Sequence, residues 1–321
     1  TASVATAITA ATATVTAAAT ITTAIAAATA AGAAGSAVLT NGDVPIALIA
    51  PREKLALVRL EEDLSTMRLC QALSAVAHYA PDEEKHIVCD TLTAYYAQES
   101  IRRRINLFWM ERGVLLVDPN TTYISPLSVL GEGTVVMPNS YLNGATIVGE
   151  SCRIGPNSVL KNAQLGRGVV VNFSQVYDCT VGDETTVGPF AHLRPGTELG
   201  EHVRVGNFVE LKNTSVGDGT KISHLTYLGD SDLGERVNVG CGVVTSNYDG
   251  KDKHRTIVED DSFIGCNVNL VPPIKVGRGA YVAAGTTVTE EVPEDALAIG
   301  RVHQTHKEGW AARRRTEGRL K

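Results

Sequence analysis

Between roughly Gly131 and Val288 an aliphatic residue is followed by glycine over and over. The pairs are Leu130-Gly131, Val148-Gly149, Ile154-Gly155, Leu165-Gly166, Val181-Gly182, Val187-Gly188, Leu199-Gly200, Val205-Gly206, Val216-Gly217, Leu233-Gly234, Val239-Gly240, Ile264-Gly265 and Val276-Gly277. Several neighbours are six residues apart, and steps of 17 or 18 recur. A fixed period marks a solenoid, in which each short coil buries its face only against the next. Six residues make one short strand and a turn, and three such units close a triangular coil of about 18. The spacing predicts an all-β solenoid, a parallel β-helix. Val, Ile or Leu point inward, and glycine serves tight corners where a Cβ would crowd. An ordinary β-sandwich is the competing reading, but its strands have no reason to keep one spacing for so long.

The chain of 321 residues is 44% hydrophobic, enough to bury a large core and hold two or three units. A net charge of −6 argues against a general nucleic-acid coat, and 5% aromatic content argues against a base-stacking platform. The cysteines Cys70, Cys89, Cys152, Cys179, Cys241 and Cys266 form no CxxC pair and no zinc-like spacing, which fits a reducing cytoplasm.

Residues 1–50 form an atypical segment. The first 40 carry no charge, and Ala and Thr supply 29 of them. The tract lacks the large side chains that specify a core, the basic region of a secretory signal, and the Leu and Phe of a membrane span. The first residue is Thr rather than Met, consistent with an upstream piece cut off or replaced. Residues 41–50 read as a turn and a short strand. Residues 51–113 read as a helical linker region. Pro51 opens a helical pattern to about Tyr79, a second helix spans Asp82 to Tyr96, and a third runs from about Gln98 to Gly113 as its C-cap. The run Arg102-Arg103-Arg104 reads as a solvated helix face, with phosphate binding as the alternative.

Residues 114–301 are the β-helix. The rhythm breaks at 245–258, a polar and charged stretch that cannot form a coil wall and is expected as a loop thrust from the solenoid. Residues 302–321 form a basic tail ending beyond Arg313-Arg314-Arg315.

Three prisms in parallel would close a trimer, with candidate sites in the grooves between them. The polar groups of interest are concentrated. His224 can take a proton from an attacking amine near neutral pH, and Tyr227 lies three residues on. Arg194 and Lys212 are 18 residues apart, one coil, so they can stack on one flank as an anion site that Lys253 and Arg255 could reach. Surface charge on a solvated wall is the plain alternative. Asn247 offers a donor and an acceptor.

Several longer segments are more specific than the rhythm. They are Pro189-Phe190-Ala191-His192-Leu193-Arg194-Pro195-Gly196, Val205-Gly206-Asn207-Phe208-Val209-Glu210-Leu211-Lys212, His224-Leu225-Thr226-Tyr227-Leu228-Gly229-Asp230, Asn247-Tyr248-Asp249-Gly250, Ala283-Ala284-Gly285-Thr286-Thr287-Val288-Thr289 and Gln304-Thr305-His306-Lys307-Glu308-Gly309-Trp310. They closely resemble the acetyltransferase half of the bifunctional bacterial GlmU enzymes, and the resemblance spans about Ser100 to Trp310. It implies a left-handed parallel β-helix that forms a homotrimer. It implies transfer of acetyl from acetyl-CoA, the co-substrate, to the amine of glucosamine 1-phosphate. The product feeds UDP-N-acetylglucosamine synthesis for the envelope. By position, His224 is implied as general base. Glu210 is implied near it, orienting it or supporting its charge. Arg194, Lys212, Tyr227 and Lys253 are implied as sugar-phosphate contacts, Asn247 as the residue that orients the amine, and Cys241, Cys266, Ala284 and Arg301 as positions near the acetyl-CoA site. No metal, nucleic acid or membrane span is expected.

The chain departs from the family in two places. Cys241 and Cys266 stand where the family often has Ala and Ser, so a thiol there could alter CoA packing or react with thiol reagents. The Gly-rich nucleotide loop of the uridylyltransferase half has only a superficial echo in Ala30-Ala31-Gly32-Ala33-Ala34-Gly35-Ser36, without a basic residue. Uridylyl transfer is therefore expected to be absent. The remaining alternatives are a hexapeptide acyltransferase with another acceptor and a trimeric scaffold without activity.

Overall fold

The computed structural model describes residues 90–321 in full and, before them, the backbone of three short strands, Ala37–Asn41, Val44–Ile49 and Val76–Tyr79. The first of these lies between the other two, antiparallel to Val44–Ile49 and parallel to Val76–Tyr79. The strand expected within 41–50 is thus present. Where a helix was expected to reach Tyr79, Val76–Tyr79 is a strand. The rest of that helix, the start of the second near Asp82 and the Ala30–Ser36 echo lie outside the described residues. The chain divides into two compact units at Ala163/Gln164.

In the first unit a single helix, Thr91–Met110, replaces the two expected around Tyr96 and Gln98. It starts at Asp90, whose side chain accepts the Thr93 N–H at 2.8 Å while Thr93 Oγ1 accepts the Asp90 N–H at 3.1 Å. This reciprocal cap satisfies two donors that a helix start leaves unpaired. The helix continues through Ala97, which is buried, and no Gly or Pro is present to break it. It ends at Met110 with Glu111, not Gly113, as its C-cap; Gly113, two residues on, takes a positive φ of 81° as the chain turns into the first coil. Asn106 fastens it to the first coil by donating to the carbonyls of Pro119 at 2.8 Å and Thr122 at 3.1 Å. Arg102 is drawn into the same contact, bonded to the Pro119 carbonyl and to Glu99, so it belongs to the docking of the helix rather than to a solvated face.

Beyond the helix the first unit is solenoid. Each coil contributes three strands of two to four residues, and equivalent strands stack in parallel. Leu116, Val136 and Ile154 form one inward column, Ile124, Leu142 and Leu160 a second, and Leu130 and Val148 a third. The second unit repeats the plan. Val205, Ile222, Val239, Ile264 and Val282 stack in one column. Leu211 and Leu228 stack in another, and Val216, Leu233, Val258 and Val276 in the third. Each of these aliphatics is buried. A column works because the stacked coil shields each side chain from above and below, at about 1.5–3 kcal/mol per fully buried aliphatic residue.

The corners use two devices. Buried Ser and Thr hydroxyls bond main-chain carbonyls of the adjacent coil, as in Thr185 to Gly200 at 2.9 Å and Thr220 to Gly234 at 2.8 Å. Polar groups inside the prism are thereby satisfied. Glycine permits close approach: a Cβ on Gly206 would sit 1.9 Å from the Ser223 carbonyl oxygen. The loop of 245–258 is present but tighter than expected. Thr245 and Thr256–Val258 are still strand, and residues 246–255 project. Pro272 and Pro273 occupy a corner between two strands. The tail carries a short helix, Trp310–Thr316. Among the described residues no helix is long and apolar enough to cross a membrane.

Gly206→Ala tests the stacking constraint. Its φ is not positive, so the substitution acts through sterics alone. It is expected to lower stability by about 1–3 kcal/mol in chemical denaturation, as overpacking does. An unchanged midpoint would mean that the coils are not held at this separation.

Candidate active site

The two longest strands, Arg204–Val216 and Lys221–Leu233, run in parallel with few breaks and build the floor of the site. Their register sets Asn207 beside His224, Glu210 beside Tyr227 and Lys212 beside Gly229. His224 is exposed, between the inward-facing Ile222 and Thr226. Thr226 Oγ1 donates to the His224 carbonyl at 2.7 Å and ties the backbone down. His224 Nδ1 lies 2.6 Å from Asn207 Oδ1. With the amide oxygen turned to the ring, Nδ1 carries the proton and the lone pair resides on Nε2, the arrangement a general base requires.

Glu210 bonds to Arg194, its Oε1 accepting from Arg194 Nη1 at 2.7 Å, and the group bonded to the imidazole is Asn207. The Arg194–Glu210 pair is about two-fifths exposed on both sides. Such pairs are worth about 0–1 kcal/mol, so a dianion can compete for the guanidinium.

Arg194 and Lys212 fall in consecutive coils, since Leu193 and Leu211 are register partners. Lys253, from the projecting loop, comes against Lys212. Its ammonium holds the Lys212 pKa below the ordinary lysine range, helped by partial desolvation and by Arg194 and opposed by Asp230. Three cations therefore converge on one flank. Below them Asp230, nearly buried, accepts Asn213 Nδ2 at 2.6 Å and Asn247 Nδ2 at 2.5 Å. Burial pushes the Asp230 carboxyl up, but those two bonds and the charges of Lys212 and Lys253 outweigh it and hold the pKa below its usual value. Tyr227 and Asn247 meet over Gly229, where a Cβ would lie 2.5 Å from the Tyr227 hydroxyl and 2.8 Å from Asn247 Nδ2. Arg255, expected to join the anion site, forks instead onto the Asp232 carboxylate.

A second set forms one column. Ile222, Val239, Ile264 and Val282 stack, so the residues two positions on, His224, Cys241, Cys266 and Ala284, follow one another up a corner. Main-chain bonds confirm the register: Asn267 N–H donates to the Cys241 carbonyl at 2.7 Å and Gly285 N–H to that of Cys266 at 2.9 Å. Arg301 passes beside Gly285, its Cδ 3.8 Å from where a Cβ would be. Three of the four positions implied for acetyl-CoA, Cys241, Cys266 and Ala284, thus lie along the line that begins at His224, and Arg301 lies beside its far end. Next to this line runs a second, of Phe190, Phe208 and Leu225, all exposed and all at positive φ. The left-handed region is unfavourable for such side chains, and Phe190 and Phe208 offset part of that cost by stacking at 5.4 Å, within 9° of parallel.

The model of the bacterial transferase hexapeptide family (six repeats) matches residues 128–162, 178–213 and 255–290. The chain is 57% identical over 218 residues to the bifunctional protein GlmU of Clostridium perfringens, covering 68% of this chain and 48% of that protein. It is 49% identical over 223 residues to that of Shouchella clausii, covering 70% and 49%. It is 52% identical over 238 residues to that of an Exiguobacterium species, covering 74% and 53%. The solenoid is built of hexapeptide repeats and is similar in sequence to these GlmU proteins. The chain spans about half the length of these GlmU relatives.

Of the residues implied by the GlmU resemblance, the structure gathers His224, Arg194, Lys212, Tyr227, Asn247 and Lys253 on one region of the second unit. Sequence reasoning missed Asn207, Asn213 and Asp230. The signal was available for Asn207, because it precedes His224 by 17 residues, one coil, the same argument that paired Arg194 with Lys212. Among the described residues no three His, Cys, Asp or Glu side chains gather as a metal site would need.

Two predictions follow from this geometry. The folded Asp230 pKa lies below its unfolded value of 3.8, so its contribution is present above that pH and lost as pH falls through the folded pKa. Asp230→Asn keeps the shape but sets an amide donor against one of the two Asn donors. It is expected to cost about 1–3 kcal/mol at neutral pH and to flatten the loss of stability below about pH 4. Identical denaturation profiles against pH would refute the assignment. For the thiols, burial drives the Cys179 pKa up to about 11, Cys152 is also buried, and Cys266 is exposed. Iodoacetamide followed by peptide mapping should label Cys266 well before Cys152 and Cys179; equal rates would contradict the burial described.

Proposed function

We propose that this chain transfers the acetyl group of acetyl-CoA to the amine of glucosamine 1-phosphate. The observation that carries the reading is an imidazole whose Nδ1 is engaged by Asn207, on the same strand pair as Lys212, which Arg194 of the preceding coil and Lys253 of the loop join. A phosphate monoester is a dianion at neutral pH and suits Arg194, Lys212 and Lys253. Tyr227 and Asn247 offer hydroxyl and amide groups to the sugar. The GlmU resemblance supplies the donor and acceptor that this arrangement accommodates.

The chemistry follows from the residue types. An ammonium is not a nucleophile, so the acceptor reacts as the free amine, one proton already lost to solvent, and His224 Nε2 accepts a second from that nitrogen as it attacks the thioester carbonyl carbon. The C–N bond forms, and the carbonyl oxygen takes the displaced electron pair as a tetrahedral oxyanion. A main-chain N–H is the natural donor to that oxygen. Collapse re-forms the carbonyl and breaks the C–S bond. The thiolate leaves and takes the proton from the imidazolium. Because a thiolate is a good leaving group, one base and good positioning suffice. The donor is read along the corner of Cys241, Cys266 and Ala284 with Arg301 beside it, which brings its thioester end towards His224. We read the working form as a homotrimer in the cytoplasm, a reading supported by the GlmU resemblance.

The test is CoA release from acetyl-CoA with and without glucosamine 1-phosphate, by wild type and His224→Ala. Amine-dependent release is expected, with a kcat about 10²–10⁴ lower in the variant and an unchanged elution volume. Undiminished turnover by His224→Ala would remove His224 as the base. Release without dependence on the amino sugar would point to another acceptor.

A further inference from the structure

The projecting loop brings Lys253 against Lys212, two ammonium groups that repel. Something must hold them together before an anion arrives. The loop touches the coil below it through Asn247 on Asp230 at one end and Arg255 on Asp232 at the other. Between these anchors it is folded on itself. Asp249 is the hub: its Oδ1 accepts the N–H groups of Lys251 at 2.8 Å and Asp252 at 2.7 Å, and its Oδ2 lies 2.7 Å from His254 Nε2. The His254 N–H donates to the Asn247 carbonyl at 2.8 Å, and Tyr248 and Lys253 form an antiparallel bridge. His254 first, then the N–H groups of Asp252 and Lys251, hold the Asp249 carboxyl well below the usual carboxylate range, so it stays charged.

We infer that Asp249 and His254 form a clasp that positions Lys253 and Asn247 for the acceptor, so that its phosphate meets the two lysines already paired. His254 adjoins Lys253 in sequence and is bonded through its backbone to Asn247, so one side-chain bond fixes both ends of the acceptor site. Without the clasp, repulsion from Lys212 and Arg194 drives Lys253 outward, and binding must then restore the loop. Preorganisation of this kind appears in affinity for the acceptor and not in the chemical step. Asp249 and His254 are positioning residues and touch no reacting atom. The inference rests on the proposed acetyl transfer.

Steady-state kinetics of the full chain test it, with wild type, His254→Ala, Asp249→Asn and His254→Gln. The Ala and Asn variants are expected to raise KM for glucosamine 1-phosphate about tenfold, with kcat and the acetyl-CoA KM within about twofold of wild type. His254→Gln should recover most of the loss, since its amide N–H can still donate to Asp249. An unchanged acceptor KM, a fall in kcat at constant KM, or a Gln variant as impaired as Ala would each overturn the clasp while leaving the acetyltransferase reading intact. If wild type does not acetylate glucosamine 1-phosphate, that reading fails on its own. Titration calorimetry with inorganic phosphate then decides the clasp: about tenfold weaker binding by His254→Ala supports it, and equal binding overturns it.

Discussion

The solenoid and the site it carries depend on coils stacking in register at strand-pair separation. Isolated, a two-residue strand such as Asn238–Val239 or Phe263–Ile264 has almost nothing to hold it. Stacked, it is paired on both sides and its aliphatic residue is enclosed by the ones above and below. The local sequence is therefore weak and the repeat strong. The same requirement explains the glycines: Gly206, Gly240 and Gly265 face backbone of the next coil at distances no Cβ could occupy. It also explains the buried hydroxyls, which bridge to neighbouring carbonyls where a larger or unpaired group would prop the coils apart.

Register then carries chemistry without further devices. Residues far apart in sequence become neighbours when they hold the same place in successive coils, as Asn207 and His224 do, or Cys241 and Cys266. The rigid core fixes those places to the precision of a β-ladder. Only the loop brings in residues the repeat cannot supply, and Lys253 is the one that must be held against a like charge. The division of labour is clear: the ladder holds His224, while the loop completes a charged pocket at some cost in repulsion.

Much of this was legible in the sequence. The period named the architecture, because aliphatic-glycine spacing reports a corner and an inward residue directly. The loop was legible because polar, charged residues interrupt that spacing. The spacing also placed Arg194 and Lys212 on one flank. Three things were not. No residue near Ala97 marks a helix break, and the helix continues where nothing chemically stops it. The partner of Glu210 could not be read, since Arg194 and His224 were both within one coil of it and only side-chain direction decides between them. The role of Arg102 depended on the Pro119 carbonyl, and no local pattern announces such a docking contact.

The projecting loop enters and leaves the wall with strand on either side: Thr245 stacks with Leu270, and Thr256 with Ser231 and Ile274. Its extra residues leave the ladder on both flanks undisturbed. Closing a longer loop between two fixed points costs only about 0.6 kcal/mol per doubling of its length. The segment is thus a detachable module on a scaffold indifferent to what it carries. On the acetyltransferase reading, acceptor preference can change through insertions and deletions at this corner alone, while the wall beneath keeps His224 and the same core.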